Sequence, residues 1–269
     1  MSSCGRGTTS ENRHMDYNAL AQRHAMAIIA IVLLAVPVAA GCAWRWSARE
    51  RRSSATAVAL AAFVPVAFGV SVYVAIAMRI AHGSAFSSAD QLLLDAVRDG
   101  TPALAARWFA RVTHLGDPPL LALLCALMCA TLVLTRRFGL AVYFAAVTSA
   151  GGLLNQALKA MMRRDRPTGS TVPLPDSFAF PSGHTFGSIV CYGMCAYVLL
   201  RLAPTRWDPL IVALACFIVL VIGTSRVVMG VHFPGDVIGG FASGGAWLAA
   251  CIGAAEVLRR RARPGSVVG

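Results

Sequence analysis

The sequence predicts an all-α protein, a polytopic bundle of transmembrane helices. Two compositional facts and one pattern carry that expectation. Hydrophobic residues make up 57% of the 269-residue chain and charged residues 13%, against about 45–50% and about 25% in soluble globular proteins. Mean hydropathy is +0.65. So little charge does not cover a water-soluble particle of this size, and so much apolar side chain excludes a disordered one. The pattern is a series of apolar stretches free of Asp, Glu, Lys and Arg, at residues 25–43, 55–78, 118–135, 138–158, 181–200, 209–225 and 237–255. Each approaches or exceeds the roughly 17–25 residues that a spanning helix needs.

Taken in order, residues 1–24 form a polar tail, and 25–54 hold a first span with a basic loop. Residues 55–258 form the main membrane domain, and 259–269 a basic C-terminal tail. The first span ends in Ala39-Ala40-Gly41-Cys42, small residues that also suit a cleaved signal peptide. Retention is the reading adopted, because the segment that follows is strongly basic. Between the second and third spans, Leu104, Trp108 and Val112 recur at helical spacing, with Arg107 and Arg111 on another face. A short amphipathic helix lying along headgroups and a loop helix packed on the bundle both fit. Gly240 and Gly244 form a G-x-x-x-G in the last span, a device for close helix packing.

The net charge of +12 does not point to nucleic acid here, because the basic residues sit in clusters between apolar runs. Arg45, Arg49, Arg51 and Arg52, then Arg136 and Arg137, then Arg201 and Arg206, and finally Arg259, Arg260, Arg261 and Arg263 all fall on one side of alternating spans. The positive-inside rule makes that side cytoplasmic. Segments 79–117 and 159–180 then face outward, to the periplasm or exterior of a bacterial inner membrane. Cys125, Cys129, Cys191, Cys195, Cys216 and Cys251 lie inside apolar runs, where cysteine is a small hydrophobe.

The remaining polar residues gather at the outer ends of the spans. Lys159 and Arg166-Pro167 leave the fourth span, Pro181-Ser182-Gly183-His184 opens the fifth, Ser225-Arg226 closes the sixth, and His232 and Asp236 open the seventh. Lys159 and Arg166 are seven residues apart, so a continued helix puts both on one face. His232 and Asp236 at i, i+4 let the carboxylate take a proton from one imidazole nitrogen. Ser182 is a natural N-cap, and a helix start favours anions. Two arginines, a lysine, a serine and helix-terminal amides suit a phosphate, and two histidines supply a nucleophile and an acid. Arg163 and Arg164 read as snorkelling anchors with Asp165 as a local partner. His82 and His114 have no evident partner, and for Ser225 a plain helix-end hydrogen bond competes with a site role.

These three groups, Lys159-x6-Arg166-Pro167, Pro181-Ser182-Gly183-His184 and Ser225-Arg226-x5-His232-x3-Asp236, resemble the signature of the type 2 phosphatidic acid phosphatase and vanadium haloperoxidase superfamily at every position. The resemblance covers roughly 118–258, and 55–117 looks like the family's first core helix and outer loop. It implies a six-helix phosphatase core, with one extra N-terminal span in residues 1–54 that has no family counterpart. It also implies that His232 attacks phosphorus to form a phosphohistidine, that Asp236 orients it, and that His184 protonates the leaving oxygen and later activates water. Lys159, Arg166, Ser182, Gly183 through its amide, and Arg226 would hold the phosphate oxygens. No cofactor or metal is implied, and no His/Asp/Glu set with ligand spacing remains to build a metal site.

The expected partners are the bilayer and a phosphorylated lipid, with undecaprenyl diphosphate, phosphatidic acid and phosphatidylglycerol phosphate as candidates. Phosphotransfer to a hydroxyl acceptor is an alternative at the same site, and a non-catalytic phospholipid-binding or transport protein is another. Haloperoxidase activity is disfavoured, since those relatives are soluble. Lys159 is also the single lysine beside 23 arginines. A compact ammonium follows one phosphate oxygen where a third rigid guanidinium would crowd the cradle.

Overall fold

The computed structural model describes residues 27–42, 55–168, 170, 172–174 and 176–262, and every regular element in them is helical. The polar tail, the arginines of 44–54 and Arg263 lie outside the described residues. A short apolar helix, α1 (Ala27–Cys42), is followed by α2 (Ala55–His82), α3 (Ser84–Gly100), α4 (Ala103–Val112), α5 (Pro118–Leu134), α6 (Phe138–Met162), α7 (Gly183–Leu202), α8 (Asp208–Val228) and α9 (Pro234–Arg261). Among the described residues five helices are long and apolar enough to cross a membrane, and a sixth crossing arises if α4 and α5, bent by 48° at Asp117, act as one. The five coincide with expected core spans, and α5 alone matches the sixth, expected at 118–135. At 16 residues, α1 is about 24 Å long, shorter than a hydrocarbon core of about 30 Å.

Two apolar cores hold the bundle. Leu132, Phe144, Val147, Phe186, Val190, Met194 and Tyr197 join α5, α6 and α7. Leu33, Leu94, Val97, Phe109, Val221, Val228 and Val237 join α1, α3, α4, α8 and α9. The outward faces stay apolar, as at Phe63, Phe68, Leu127 and Leu153, which suits lipid as solvent. The α9 glycines pack within the chain. A Cβ on Gly240 would lie 2.9 Å from the Thr185 Cβ, and one on Gly244 2.8 Å from Ile189 Cγ2, so α7 and α9 approach as G-x-x-x-G packing expects.

The outer segment divides its roles. In α4, Phe109 is buried in the second core while Leu104 and Trp108 are 79% and 45% exposed, so the helix packs on the bundle and keeps an apolar outer edge. No apolar stretch of spanning length marks residues 84–100, yet they form α3. Asp90, Leu94 and Val97 lie on one buried stripe of α3, at the i, i+4, i+7 spacing that would have revealed it.

Candidate functional site

The site forms where the C-terminal ends of α6 and α8 meet the N-terminal ends of α7 and α9, at the end of the bundle away from Arg136, Arg201 and Arg259. Each end follows from local chemistry. Helix α6 stops at Met162 because Arg163 turns left-handed (φ 46°), its N–H closing on the Lys159 carbonyl at 2.9 Å, an αL cap. The expected continuous helix from Lys159 to Arg166 is therefore broken. Arg166 reaches the site from extended chain instead, with Nη1 donating to Val231 O at 2.9 Å and Nε to Ser177 O at 2.7 Å. Lys159, buried on the last turn of α6, donates from Nζ to Phe178 O.

His232 precedes α9, and Asp236 occupies its third position. The pair is thus not stacked on a helix but joined across its start. Asp236 Oδ2 accepts from Phe233 N at 3.0 Å and lies 3.3 Å from His232 Nδ1. On the other side of the ring, Arg166 Nη1 is 3.1 Å from Nε2. A guanidinium only donates, so Nε2 carries the lone pair and the proton sits on Nδ1, facing Asp236. Burial lowers the His232 pKa to about 3 against the pull of Asp236, which keeps the ring neutral. Burial also lowers Arg166 from its ordinary value, opposed by the charge of Asp236.

The signature residues converge on one cavity of about 620 Å³, lined by Lys159, Arg166, Gly183, His184, Arg226 and His232 at its polar end. Leu121, Ala122 and Cys125 of α5, Gly152 of α6, and Gly187, Val190 and Cys191 of α7 line the rest. No carboxylate lines it among the described residues. Three cations facing a space without a counter-charge make an anion site. Ser182 and Asp236 lie behind the lining. Ser182 is the N-cap of α7 as expected, but its hydroxyl makes no cap bond and instead accepts from Thr185 Oγ1 at 3.1 Å, while its N–H holds Asp236 O at 3.0 Å. Ser225 makes helix-end bonds, donating to Ile222 O at 2.6 Å and meeting Thr113 Oγ1 at 2.9 Å.

A further sequence expectation is overturned. Arg164 is not a snorkelling anchor and does not pair with Asp165. It is buried, with Nη1 2.6 Å from Asp236 Oδ1 and Nη2 2.8 Å from Asp90 Oδ2, and its guanidinium lies 4.3 Å over the Phe233 ring. Asp90 also accepts from Gly235 N at 2.8 Å. Burial raises the Asp90 pKa, which that N–H and Arg164 oppose. Arg163, by contrast, is exposed and donates to its own helix at Ala160 O. The turn Thr113–Gly116 and Asp117 add further partners. Thr113 Oγ1 accepts from Arg226 Nη1 at 2.8 Å, and Asp117 lies 2.8 Å from His184 Nε2 and 2.7 Å from His114 Nδ1. His114 therefore has a partner, while His82 bonds to Met78 O within its own helix. A Cβ on Gly116 would fall 2.6 Å from Ile222 and 3.1 Å from the His184 ring, so this turn comes that close to the site only without a side chain.

Comparison with known proteins agrees with this geometry. The model of the PAP2 superfamily matches residues 139–260. Over 169 residues the chain is 31% identical to phosphatidylglycerophosphatase B of Bacillus subtilis (strain 168), spanning 61% of this chain and 81% of that protein. It is also similar to the crystal structure of a transmembrane PAP2-type phosphatidylglycerolphosphate phosphatase from Bacillus subtilis, with a TM-score of 0.66 and 29% identity over 70% of this chain and 96% of that one.

Proposed function

The chain belongs to the PAP2 superfamily and is a membrane lipid-phosphate phosphatase, and from that premise we propose that it hydrolyses the terminal phosphomonoester of a glycerophospholipid, with phosphatidylglycerophosphate as the first candidate and phosphatidic acid as the second. The observation that carries the reading is the His232 ring, neutral and with its Nε2 lone pair turned towards Arg166 in a cavity walled by cations. The substrate class is supported by the relative's name and by a cavity whose apolar walls run between three helices.

In the proposed reaction Nε2 of His232 attacks phosphorus, and the bond from phosphorus to the lipid oxygen breaks. That oxygen takes a proton from the His184 imidazolium. Lys159, Arg166 and Arg226 balance charge on the non-bridging oxygens, and Asp236 stabilises the cationic phosphohistidine through Nδ1–H. Water then attacks phosphorus, gives a proton to His184 and releases inorganic phosphate, leaving His232 neutral again. The arginine-rich ends Arg136-Arg137, Arg201 and Arg259–Arg261 support a cytoplasmic placement opposite the site, which then faces the periplasm or exterior.

The test is phosphate release by the purified protein from phosphatidylglycerophosphate, phosphatidic acid and undecaprenyl diphosphate in mixed micelles, with His232→Ala as control. Preference for either glycerophospholipid is expected. Activity confined to the polyprenyl diphosphate would overturn the substrate assignment, and transfer of phosphate to an added alcohol without release would convert the reading to phosphotransfer.

A further inference from the structure

We propose that Asp117 is the positioning carboxylate of His184, giving the site a second histidine–carboxylate pair in addition to His232–Asp236. The inference rests on the reading of His184 as the acid. Asp117 occupies the N-cap of α5, where an aspartate ordinarily turns its side chain onto the first helical amides. Here it makes no side-chain cap bond. Part of the reason is local: Pro118 and Pro119 fill the first two helical positions and have no N–H, which leaves only Leu120 at the third for such a bond. Freed from capping, the two carboxylate oxygens each meet an imidazole, Oδ1 at 2.8 Å from His184 Nε2 and Oδ2 at 2.7 Å from His114 Nδ1.

The pairing fixes which atom of His184 reacts. A carboxylate accepts only, so Nε2 of His184 carries a proton and keeps it. The proton passed to the leaving oxygen then comes from Nδ1, and the water proton returns to Nδ1 in the second step. Asp117 neither gains nor loses a proton over the cycle. Its charge favours the imidazolium that must be present at the start, against burial of the ring first, then the guanidiniums of Arg226 on α8 and Arg166 in the α6–α7 connection and the Lys159 ammonium across the cavity on α6. Neutral His232 adds no charge. His114, with its side chain 71% exposed, holds Asp117 in place from the solvent side.

Asp117→Asn is expected to lower kcat by about 10- to 100-fold with KM within about threefold, and to move the alkaline limb of kcat/KM down by about one pH unit, because the imidazolium loses its counter-charge. Asp117→Glu should recover part of the loss. In a His184→Asn background the Asp117→Asn change should cost little more, since the two act as a unit. Wild-type kcat and pH profile in Asp117→Asn would overturn the proposal. So would a full additive loss in the double variant, which is what a fold defect alone produces. Wild-type turnover in His184→Asn would instead sink the acid assignment on which the proposal rests, so the two failures are distinct.

Discussion

His232 and His184 face the same cavity but lean on carboxylates in opposite surroundings. His232 is 1% exposed, its carboxylate Asp236 is fully buried, and that carboxylate is clamped by Arg164, which also holds buried Asp90. His184 leans on Asp117, whose side chain is 37% exposed and shared with a solvent-facing histidine. The difference suits the two proposed tasks. A nucleophile needs a fixed neutral ring aimed at phosphorus, and a sealed, fully paired network fixes it. An acid–base group must change charge twice per turnover, and a counter-charge that reaches solvent moderates the cost of each change.

The sealed side should break hardest. His232→Ala is expected to abolish turnover, and wild-type enzyme quenched in alkaline denaturant should carry an acid-labile, alkali-stable phosphoryl group that maps to His232. Residual normal activity in that variant would end the assignment. Next comes Asp236→Asn, with a fall of about 10²–10⁴ in kcat, by analogy with other carboxylates that orient a catalytic imidazole. A smaller loss there than in Asp117→Asn would reverse the ranking of the two sides.

Arg164→Ala leaves two buried carboxylates without their shared cation. It should destabilise the fold by about 3–5 kcal/mol, read as the thermal midpoint in detergent, while the exposed pair broken by His114→Ala costs about 1 kcal/mol or less. Equal midpoints for the two variants would contradict the contrast in burial. A milder change is Lys159→Arg, which keeps the charge but widens the group. A drop in kcat of about tenfold, with little change in KM, is expected if the ammonium tracks a phosphate oxygen in the transition state. Unchanged kcat would mean that charge alone matters at that position.

The smallest effect at neutral pH concerns proton linkage. Folded His232 has its pKa at about 3, against an ordinary value of 6.5. Above about pH 6.5 the ring is neutral in both states and contributes no pH dependence. As pH falls from there toward 3, the unfolded chain takes up a proton that the folded site refuses, so stability declines. His232→Asn should flatten that part of the thermal midpoint profile. An unaltered acid slope in the variant would place the titration elsewhere.

The eight signature positions were legible because spacing along the chain marks them, and six of them, Lys159, Arg166, Gly183, His184, Arg226 and His232, do line the cavity. Arg164, Asp90, Thr113 and Asp117 carry no such mark. Arg164 and Arg163 are adjacent arginines at the end of one helix, and one is buried and the other exposed. Which is which depends on the left-handed turn at Arg163, a backbone event that composition does not announce. His114 looked unpartnered, although Asp117 is only three residues on. A local cue is Asp117-Pro118-Pro119, an N-cap aspartate whose first two helical positions offer no N–H.

By itself the sequence determined the class of solvent, the apolar helices of the core and which polar side chains stand at their ends. Those properties are local: apolar length sets a span, arginine placement sets its direction, and residue type sets what a side chain can donate or accept. Tertiary structure alone decided which charges are neutralised and which stay open to a ligand. Asp90 and Asp236 lie 146 residues apart in the chain and meet on Arg164, while Lys159, Arg166 and Arg226 face a cavity that no carboxylate lines among the described residues. Pairing of that kind depends on which helix ends come together in space, and the low-polarity surroundings that make it strong exist only after the bundle has closed.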